Sequence, residues 1–247
     1  MLDAEELKRY DRQIMIPEIG QAGQEQLKAA TIFVAGAGGI GSPVTIYLAA
    51  AGVGTIRLAD HDRVDVSNLN RQVLHWDEDV GRKKVGSASE KLRRLNPHVK
   101  IEAMDETITE ENAKDLASGC DGIVDAMDNL ATRYILNKAA IDLNIPFFHG
   151  AVRGLEGRAL TVVPGKGACL RCLYRGPVPQ EKFPVLGATP AVIGCIQATE
   201  VIKYITGIGK LLINRLIVYD GLGLKFTEFK VNRNPECEHC RHVAEEE

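Results

Sequence analysis

Apolar and polar positions follow two different periods along this chain. Short, almost continuously apolar runs, such as residues 31–35 and 55–59, have the length and composition of strands that are buried on both faces of a parallel sheet. The longer segments between these runs space their apolar residues as helices do, and glycine or proline residues end them. The alternation predicts a doubly wound, mostly parallel α/β sheet.

The same patterns place the individual elements of the first 150 residues. Residues 5–29 are predicted to be helical, with breaks at Pro17 and Gly20. The other predicted helices span 40–51, 82–95 and 130–143, and the predicted strands span 31–35, 55–59, 101–104, 122–126 and 145–148.

The pattern changes after about residue 150. Residues 158–163 are predicted to be a strand that starts a different sheet, and residues 173–190, rich in proline and glycine, are predicted to be a long loop. A helix over 191–205 and paired strands over 216–219 and 225–231 complete the prediction. We therefore expect one domain over 1–247, in which a smaller, β-containing C-terminal subdomain at about 151–247 packs on the part at about 28–150.

A glycine-rich turn joins the first predicted strand to the helix that follows. Gly36, Gly38 and Gly41 form G-x-G-x-x-G, and Gly39 adds a fourth glycine. Glycine permits positive φ and close backbone approach, so the helix N-terminus can meet a phosphate. Asp60 ends the next strand, where a carboxylate can accept hydrogen bonds from ribose hydroxyls. The loop predicts a Rossmann-like nucleotide site without separating NAD from ATP, and a tight turn with no ligand is the alternative.

Charged groups after the second and fourth strands favour ATP. Parallel strands bring the loops that carry Arg71, Lys84, Asp128 and Asn129 to the carboxyl edge of the sheet, beside the nucleotide. Enzymes that split a triphosphate need such cations, because its oxygens gain charge in the transition state. Asp128 is expected to hold Mg²⁺, which prefers oxygen ligands. The alternatives are solvated surface charges for Arg71 and Lys84, and a helix N-cap for Asp128.

Composition and charge limit the kinds of partner and the cellular location to be expected. The net charge of −3 gives no reason to expect a nucleic-acid partner, and no apolar run is long enough for a transmembrane helix. The acidic N-terminus lacks the apolar region of a secretory signal. We therefore expect a cytoplasmic protein, whose thiols stay reduced.

Four of the six cysteines form two C-x-x-C pairs, which are Cys169 with Cys172 and Cys237 with Cys240. Four thiolates can close a tetrahedral structural zinc site, which would join two segments far apart in sequence. The alternative is redox chemistry, although neither pair lies in a thioredoxin-like context.

The remaining cysteines and two of the histidines suggest no further chemistry. Cys120 and Cys195 are expected to be small buried side chains. His75 and His149 are expected to be structural.

Together these motifs resemble the ThiF/MoeB/HesA family, whose members are related to ubiquitin-activating enzymes. The resemblance runs from about residue 9 to 241. Besides the glycine loop and the C-x-x-C pairs, the matching segments are Arg9-Tyr10-Asp11-Arg12-Gln13, residues 60–72, Gly81-Arg82-Lys83-Lys84-Val85, Asn96-Pro97-His98, Asp125-Ala126-Met127-Asp128-Asn129, Gln197-Ala198-Thr199-Glu200 and Arg233-Asn234-Pro235.

The resemblance implies an ATP-dependent adenylyltransferase that activates the C-terminal Gly-Gly carboxylate of a ubiquitin-like sulfur-carrier protein. Such carriers include the molybdopterin-synthase small subunit and the thiamine sulfur carrier, and a separate sulfur donor would follow. The implied ATP and Mg²⁺ site comprises Gly39, Asp60, Asn68, Arg71, Lys84 and Asp128, and the four paired cysteines would hold zinc. The resemblance also implies a homodimer in which Arg12 completes the partner's ATP site. An NAD-dependent Rossmann oxidoreductase and a non-catalytic regulatory member of the same fold are the alternatives.

One departure from the family pattern concerns covalent chemistry. Members that link covalently to their carrier use a cysteine in the crossover loop, whereas residues 173–190 contain none. We expect this loop to guide the carrier tail without a thioester. Because the sequence ends at Glu247, we expect no rhodanese domain of the kind that some relatives carry.

Overall fold

The computed structural model describes residues 1–174 and 183–244. Within these residues the strands are β1 Thr31–Ala35, β2 Thr55–Ala59, β3 Lys100–Met104, β4 Gly122–Asp125, β5 Phe147–Arg153, β6 Glu156–Val162, β7 Arg215–Asp220 and β8 Lys225–Lys230. The helices are α1 Ala4–Arg9, α2 Asp11–Ile14, α3 Gly20–Ala29, α4 Gly41–Ala51, α5 Lys84–Leu95, α6 Ala113–Ala117, α7 Leu130–Leu143, α8 Leu170–Leu173 and α9 Ala188–Thr206. No helix in this described part is both long and apolar enough to span a membrane.

The described strands form one sheet in the order β3-β2-β1-β4-β5-β6-β7-β8. Strands β1 to β5 are parallel to one another, as the alternating pattern predicted. From β6 onwards the pairing is antiparallel. The predicted pairing of the last two strands is confirmed, since β7 pairs with β8 from Arg215↔Lys230 to Asp220↔Lys225.

The prediction that residues 158–163 start a different sheet is wrong. Strand β5 extends to Arg153, well beyond its predicted end, and a turn at Gly154 with a φ of +62° reverses the chain. Strand β6 then returns along the free edge of β5, pairing from Arg153↔Glu156 to Phe147↔Val162. The C-terminal strands therefore widen the first sheet, because β6 pairs with β5 on one side and with β7 on the other.

Apolar side chains alternate between the two faces of this sheet. In β1, Ile32 and Val34 belong to a core with side chains of α3, α4, α5 and α9. Phe33 and Ala35 point to the other face and belong to a core with α6, α7 and α8. Such runs are apolar throughout because helices cover both faces of the strand. The three layers confirm the Rossmann-like, doubly wound fold.

The strand order places a crevice at the carboxyl ends of β1 and β4. The chain leaves β1 towards β2 on one side, while β4 and β5 lie on the other. Open α/β sheets bind their ligands where the strand order reverses in this way. The loop after β1 and the loop after β4 therefore frame the candidate site.

Candidate functional site

The glycine loop follows β1 into α4 at this reversal point. Gly36 has a φ of +105°, and a Cβ added to it would lie 2.8 Å from the carbonyl oxygen of Ala126. A Cβ added to Gly41 would lie 1.9 Å from the carbonyl oxygen of Gly36. The turn itself therefore requires both glycines, which also lets the loop pack directly against the end of β4.

Gly38 differs from these two glycines, because the packing leaves room for a side chain there. A Cβ on Gly38 would meet nothing closer than the Nε2 atom of Gln72 at 3.7 Å, and its φ lies outside the left-handed region. Gly38 is also only half-buried. The missing side chain leaves its backbone open to a ligand at the helix N-terminus, as phosphate-binding loops require.

Asp60 connects the glycine loop to the end of β2. Its Oδ2 atom accepts a hydrogen bond from the N–H of Ala37 at 2.8 Å, and its Oδ1 atom accepts one from the N–H of Asp62 at 2.8 Å. Each carboxylate oxygen has a second lone pair, so Asp60 can still accept hydrogen bonds from ribose hydroxyls. This side chain therefore shapes the loop in addition to facing the crevice.

Lys84 is buried at the first position of α5. Its Nζ atom lies 2.8 Å from Oδ2 of Asp62, and the two side chains are 6% and 51% exposed, respectively. Burial alone would raise the pKa of Asp62, but the hydrogen bond and charge of Lys84 outweigh burial and hold that pKa below its usual value. The positive end of the helix dipole at the N-terminus of α5 disfavours a cation. A second anion beside Lys84, in addition to Asp62, would therefore be stabilised. No sequence pattern indicates Asp62 as the partner of Lys84.

Arg71 lies beside the glycine loop on the segment between β2 and α5. Its Cγ atom would be 3.5 Å from a Cβ on Gly39. The guanidinium donates to the carbonyl of Ser67 at 2.8 Å and to Oδ1 of Asn70 at 2.9 Å, and it pairs with no carboxylate of residues 1–174 or 183–244. Asn68 lies in the same turn, where its carbonyl accepts from the N–H of Arg71 at 3.0 Å.

Asp128 and Asn129 follow β4 on the opposite side of the crevice. Asn129 is the N-cap of α7 and accepts from the N–H of Thr132 at 2.9 Å. The alternative that Asp128 is the N-cap is therefore wrong, because the helix begins one residue later than that role requires. The Asp128 carboxylate is exposed, and its nearest described polar partner is the Nδ2 atom of Asn129 at 3.4 Å.

A buried carboxylate–imidazole pair supports the loop that carries Asp128. Asp125 and His149 are both fully buried, and Nδ1 of His149 lies 2.7 Å from Oδ2 of Asp125. The other oxygen of Asp125 accepts from the N–H of Met127 at 3.1 Å, while Arg133 lies 3.4 Å from Oδ2. Burial lowers the pKa of His149 despite the neighbouring carboxylate. Sequence reasoning missed this pair, although polar residues at the ends of two apolar strands were its visible signal.

Arg12 lies far from the glycine loop of its own chain. It is exposed on α2, and the adjacent Gln13 donates from Nε2 to the carbonyl of Ala51 at 3.1 Å, at the C-terminal end of α4. The glycine loop meets the opposite end of this 11-residue helix, which is about 16 Å long at 1.5 Å per residue. The structure therefore does not bring Arg12 to the other predicted site residues of the same subunit.

The two C-x-x-C pairs converge on one buried cluster. The ligand atoms of Cys169, Cys172, Cys237 and Cys240 all lie within 4.8 Å of one another. The Sγ–Sγ distance is 3.9 Å for Cys169–Cys172 and 3.6 Å for Cys169–Cys237 and Cys172–Cys240. A tetrahedron with Zn–S bonds of about 2.3 Å has edges of about 3.8 Å. The cluster is thus compatible with zinc.

The other two cysteines are not activated. Cys120 is buried, as predicted, and burial raises its pKa to about 11. Cys195 is only half-buried, yet burial raises its pKa as well. Both thiols are therefore protonated at neutral pH, whereas a nucleophilic cysteine needs a lowered pKa.

The described end of the predicted loop over 173–190 reaches the site. A Cβ on Gly187 would lie 2.1 Å from the carbonyl oxygen of Asn70, and Pro190 contacts Gly39. Helix α9 begins at Ala188, three residues earlier than predicted. Residues 175–182, to which the carrier-tail prediction also refers, lie outside the described residues.

The doubly wound sheet, the glycine loop at its reversal point and the four-cysteine cluster define a Rossmann-like α/β protein with a compatible zinc site. The chain belongs to the ThiF family, whose sequence profile matches residues 10–239. This confirms the resemblance that the motifs indicated.

Several similar proteins have names that describe an activity. The chain is 44% identical to the sulfur carrier protein adenylyltransferase of Thermus thermophilus, over 96% of this chain and 91% of that protein. It is 43% identical to the SAMP-activating enzyme E1 of Haloferax volcanii, over 97% and 90%. It is 41% identical to the adenylyltransferase and sulfurtransferase MOCS3-1 of Zea mays, but covers only 53% of that longer protein.

A solved structure has the same fold. The structure of E. coli MccB with ATP matches 96% of this chain and 75% of its own, with a TM-score of 0.86 and 25% identity. These comparisons favour an adenylyltransferase over the NAD-dependent oxidoreductase.

Proposed function

We propose that this chain is an ATP-dependent adenylyltransferase that activates the C-terminal Gly-Gly carboxylate of a ubiquitin-like sulfur-carrier protein. The carrier would be of the molybdopterin-synthase small-subunit or thiamine sulfur-carrier type. The observation that carries the proposal is the buried Lys84 ammonium, whose only ion-pair partner within residues 1–174 and 183–244 is the half-exposed Asp62. The side chain of His75 links the helix that begins with Lys84 to an open glycine loop. A polyanion would complete this charge arrangement, and the relatives named as adenylyltransferases indicate the type of reaction.

Different residues of the crevice would bind different parts of ATP. The backbone of Gly36, Gly38, Gly39 and Gly41 would meet the phosphates, since Gly38 has room for a side chain and carries none. Asp60 would accept from the ribose hydroxyls, and Asn68 would bind beside it. Lys84 and Arg71 would contact the phosphate oxygens.

The reaction needs no general base, because the carrier's terminal carboxylate is already ionised near neutral pH. One carboxylate oxygen attacks the α-phosphorus, and the new O–P bond forms as the bond to the pyrophosphate oxygen breaks. The electron pair of that bond leaves with pyrophosphate, and the product is an acyl-adenylate. The protein aligns the reactants, and Arg71 and Lys84 offset the charge that develops.

Asp128 and Asn129 offer oxygen ligands for Mg²⁺ at the end of β4, where the Asp128 carboxylate is exposed and free to bind a cation. When bound there, Mg²⁺ would neutralise phosphate oxygens during the transfer. Asp125, His149 and Arg133 would hold this loop in place through the contacts described above.

The site would be completed in a homodimer. Arg12 lies beside the far end of α4 in its own subunit, so it can serve an ATP site only across a subunit boundary. We infer that Arg12 of one subunit would contact the phosphates bound by the other.

The C-terminal part, residues 151–247, would hold zinc and the carrier, whereas residues 28–150 would bind the nucleotide. Zinc at Cys169, Cys172, Cys237 and Cys240 would be structural, because four cysteines leave no open coordination position. The segment 173–190 would guide the carrier tail to the α-phosphate. A separate sulfur donor would then convert the acyl-adenylate to a thiocarboxylate.

Carrier-dependent exchange of labelled pyrophosphate into ATP tests the proposal. Arg71→Ala and Asp128→Ala should each slow exchange by about 10²–10³, the usual cost of losing one preorganised charge contact. Arg94→Ala and Asp115→Ala are matched controls, since both residues are exposed on helices away from the crevice. Full exchange in either site variant would remove that residue from the mechanism.

A further inference from the structure

One residue of the glycine loop, Ala37, is held through both its backbone N–H and its backbone carbonyl. The N–H of Ala37 donates to Oδ2 of Asp60 at 2.8 Å, and its carbonyl oxygen lies 2.9 Å from Nε2 of His75. Ala37 and His75 are 1% and 3% exposed. Two polar side chains from a different loop therefore fix the residue between the first two glycines.

The second ring nitrogen of His75 reaches a different element. Nδ1 lies 2.9 Å from the hydroxyl oxygen of Ser87, on the first turn of α5, the helix that begins with Lys84. The Ser87 hydroxyl also accepts from Nζ of Lys91 at 3.0 Å. His75 thus connects the glycine loop to the helix that carries the buried lysine.

The acceptors around the ring determine its tautomer. A carbonyl oxygen can only accept, so Nε2 must carry the proton that is donated to Ala37. In the neutral ring Nδ1 is then an acceptor, and the Ser87 hydroxyl donates to it. Burial is the largest influence on His75 and lowers its pKa, and Lys84 and Lys91 act in the same direction. The hydrogen bond to Ala37 and the charge of Asp79 oppose this shift without reversing it.

The bond to Ala37 has a consequence for the next residue. A trans peptide is planar, with its C=O and the following N–H pointing in opposite directions. When His75 holds the carbonyl of Ala37, the N–H of Gly38 must point away from His75. This N–H donates to no residue in 1–174 or 183–244, and Gly38 is half-buried with room beside it.

We propose that His75 is a positioning residue that turns the N–H of Gly38 towards a nucleotide phosphate. Through Ser87, His75 also holds the helix of Lys84 in a fixed position relative to that N–H. The inference rests on the proposed function for the identity of the ligand. His75 touches neither the phosphate nor the reacting atoms; it acts through the Ala37–Gly38 peptide and through Ser87.

A pair of substitutions separates the two ring contacts. His75→Gln places an amide nitrogen near the position of Nε2 and can keep the bond to Ala37. His75→Asn places its amide near the position of Nδ1 and loses that bond. The same His→Asn change at His98, which lies at the opposite end of α5 beside Glu5, is the matched control.

Affinity for the non-hydrolysable analogue AMPCPP with Mg²⁺ is the first measurement, by calorimetry. His75→Asn should weaken binding by roughly tenfold, the range expected when one oriented hydrogen bond is lost. His75→Gln should recover most of the affinity, and His98→Asn should match the unaltered protein. In pyrophosphate exchange, the KM for ATP should rise in His75→Asn while the KM for the carrier stays unchanged.

The second measurement uses the unaltered protein and depends on no variant folding. Long-range ¹H–¹⁵N spectra report the tautomer of each histidine ring, and His75 should carry its proton on Nε2. A proton on Nδ1 alone would overturn the inference, because Nε2 would then present a lone pair to the carbonyl of Ala37.

The outcomes separate this inference from the proposed function. If the unaltered protein does not bind AMPCPP, both fall. If it binds and His75→Asn binds equally well, or if His75→Gln is as weak as His75→Asn, the positioning role of His75 alone is wrong.

Discussion

At the residue scale, the candidate site is organised around Lys84. A buried ammonium needs a counter-charge, and Asp62 provides it from the end of β2. Lys84 was predicted as a site residue because the segment after β2 returns to the carboxyl edge of the sheet. Its partner Asp62 could not be predicted, because the two residues are 22 positions apart and meet only through the path of the chain between them. For the same reason, sequence reasoning found Asp128 but missed Asp125 and His149, whose contact depends on the register of β4 against β5.

The pH dependence of stability tests the Asp62–Lys84 pair. Because the pKa of Asp62 is lowered in the folded protein, its contribution to stability is present above the unfolded value of about 4 and is lost as the pH falls through the folded value. At pH 7, Asp62→Asn should lower the thermal midpoint by about 2–4 °C. This corresponds to about 1 kcal/mol for a charged hydrogen bond with a half-exposed partner.

Thermal midpoints of both proteins between pH 7 and pH 3 provide the check. The difference between Asp62→Asn and the unaltered protein should shrink at the acid end. A difference that stays constant down to pH 3 would show that the contact with Lys84 does not lower the pKa of Asp62.

At the scale of elements, the limits of helices and strands were predicted best where turn residues stand at both ends of an apolar run. Strands β1 and β2 and helix α7 have their predicted limits, since glycine, asparagine or aspartate stands at their ends. The short helices α6 and α8 were not predicted, because 5 and 4 residues are too few for a helical period to show. The sheet partner of β6 was also misjudged, because strand pairing depends on tertiary contacts.

We expect zinc at the four-cysteine cluster to stabilise two short elements that are far apart in sequence. Helix α8 has only 4 residues, and the segment with Cys237 and Cys240 follows the edge strand β8. Arg171 and Glu238, each inside one C-x-x-C pair, lie 2.5 Å apart across the cluster. Metal binding would therefore add to the stability that these contacts give the cluster.

Metal analysis tests this account of the cluster. The purified protein should contain one zinc per chain, and Cys169→Ser should lower both zinc content and thermal midpoint, by about 2–4 °C for each kcal/mol lost. Cys195→Ser, outside the cluster, is the matched control and should keep its zinc. Unchanged zinc in Cys169→Ser would rule out the four-cysteine site.

At the scale of the whole molecule, the proposed role of Arg12 would require a homodimer. A shared site requires two subunits in which Arg12 of one faces the crevice of the other. The family resemblance implies this arrangement, and α4, about 16 Å long, separates Arg12 from the glycine loop of its own subunit.

Subunit mixing tests the shared site. Arg12→Ala and Asp128→Ala should each be inactive as homodimers, whereas their heterodimer has one site with both changes and one with neither. Each heterodimer should therefore have about half of the activity of an unaltered homodimer, which has two intact sites. If verified subunit exchange restores none, Arg12 does not act across the interface.

The most direct test of the central claim is the mass of the carrier after a single turnover. A ubiquitin-like sulfur carrier ending in Gly-Gly, incubated with this protein, ATP and Mg²⁺ and then acid-quenched, should gain one adenylate. The same carrier without its last glycine should gain none, and Arg71→Ala should yield far less of the adduct. If the intact carrier remains unmodified while the protein turns over ATP, the C-terminal carboxylate is not the group that this protein activates. If the shortened carrier is modified equally, the protein does not require the complete Gly-Gly end.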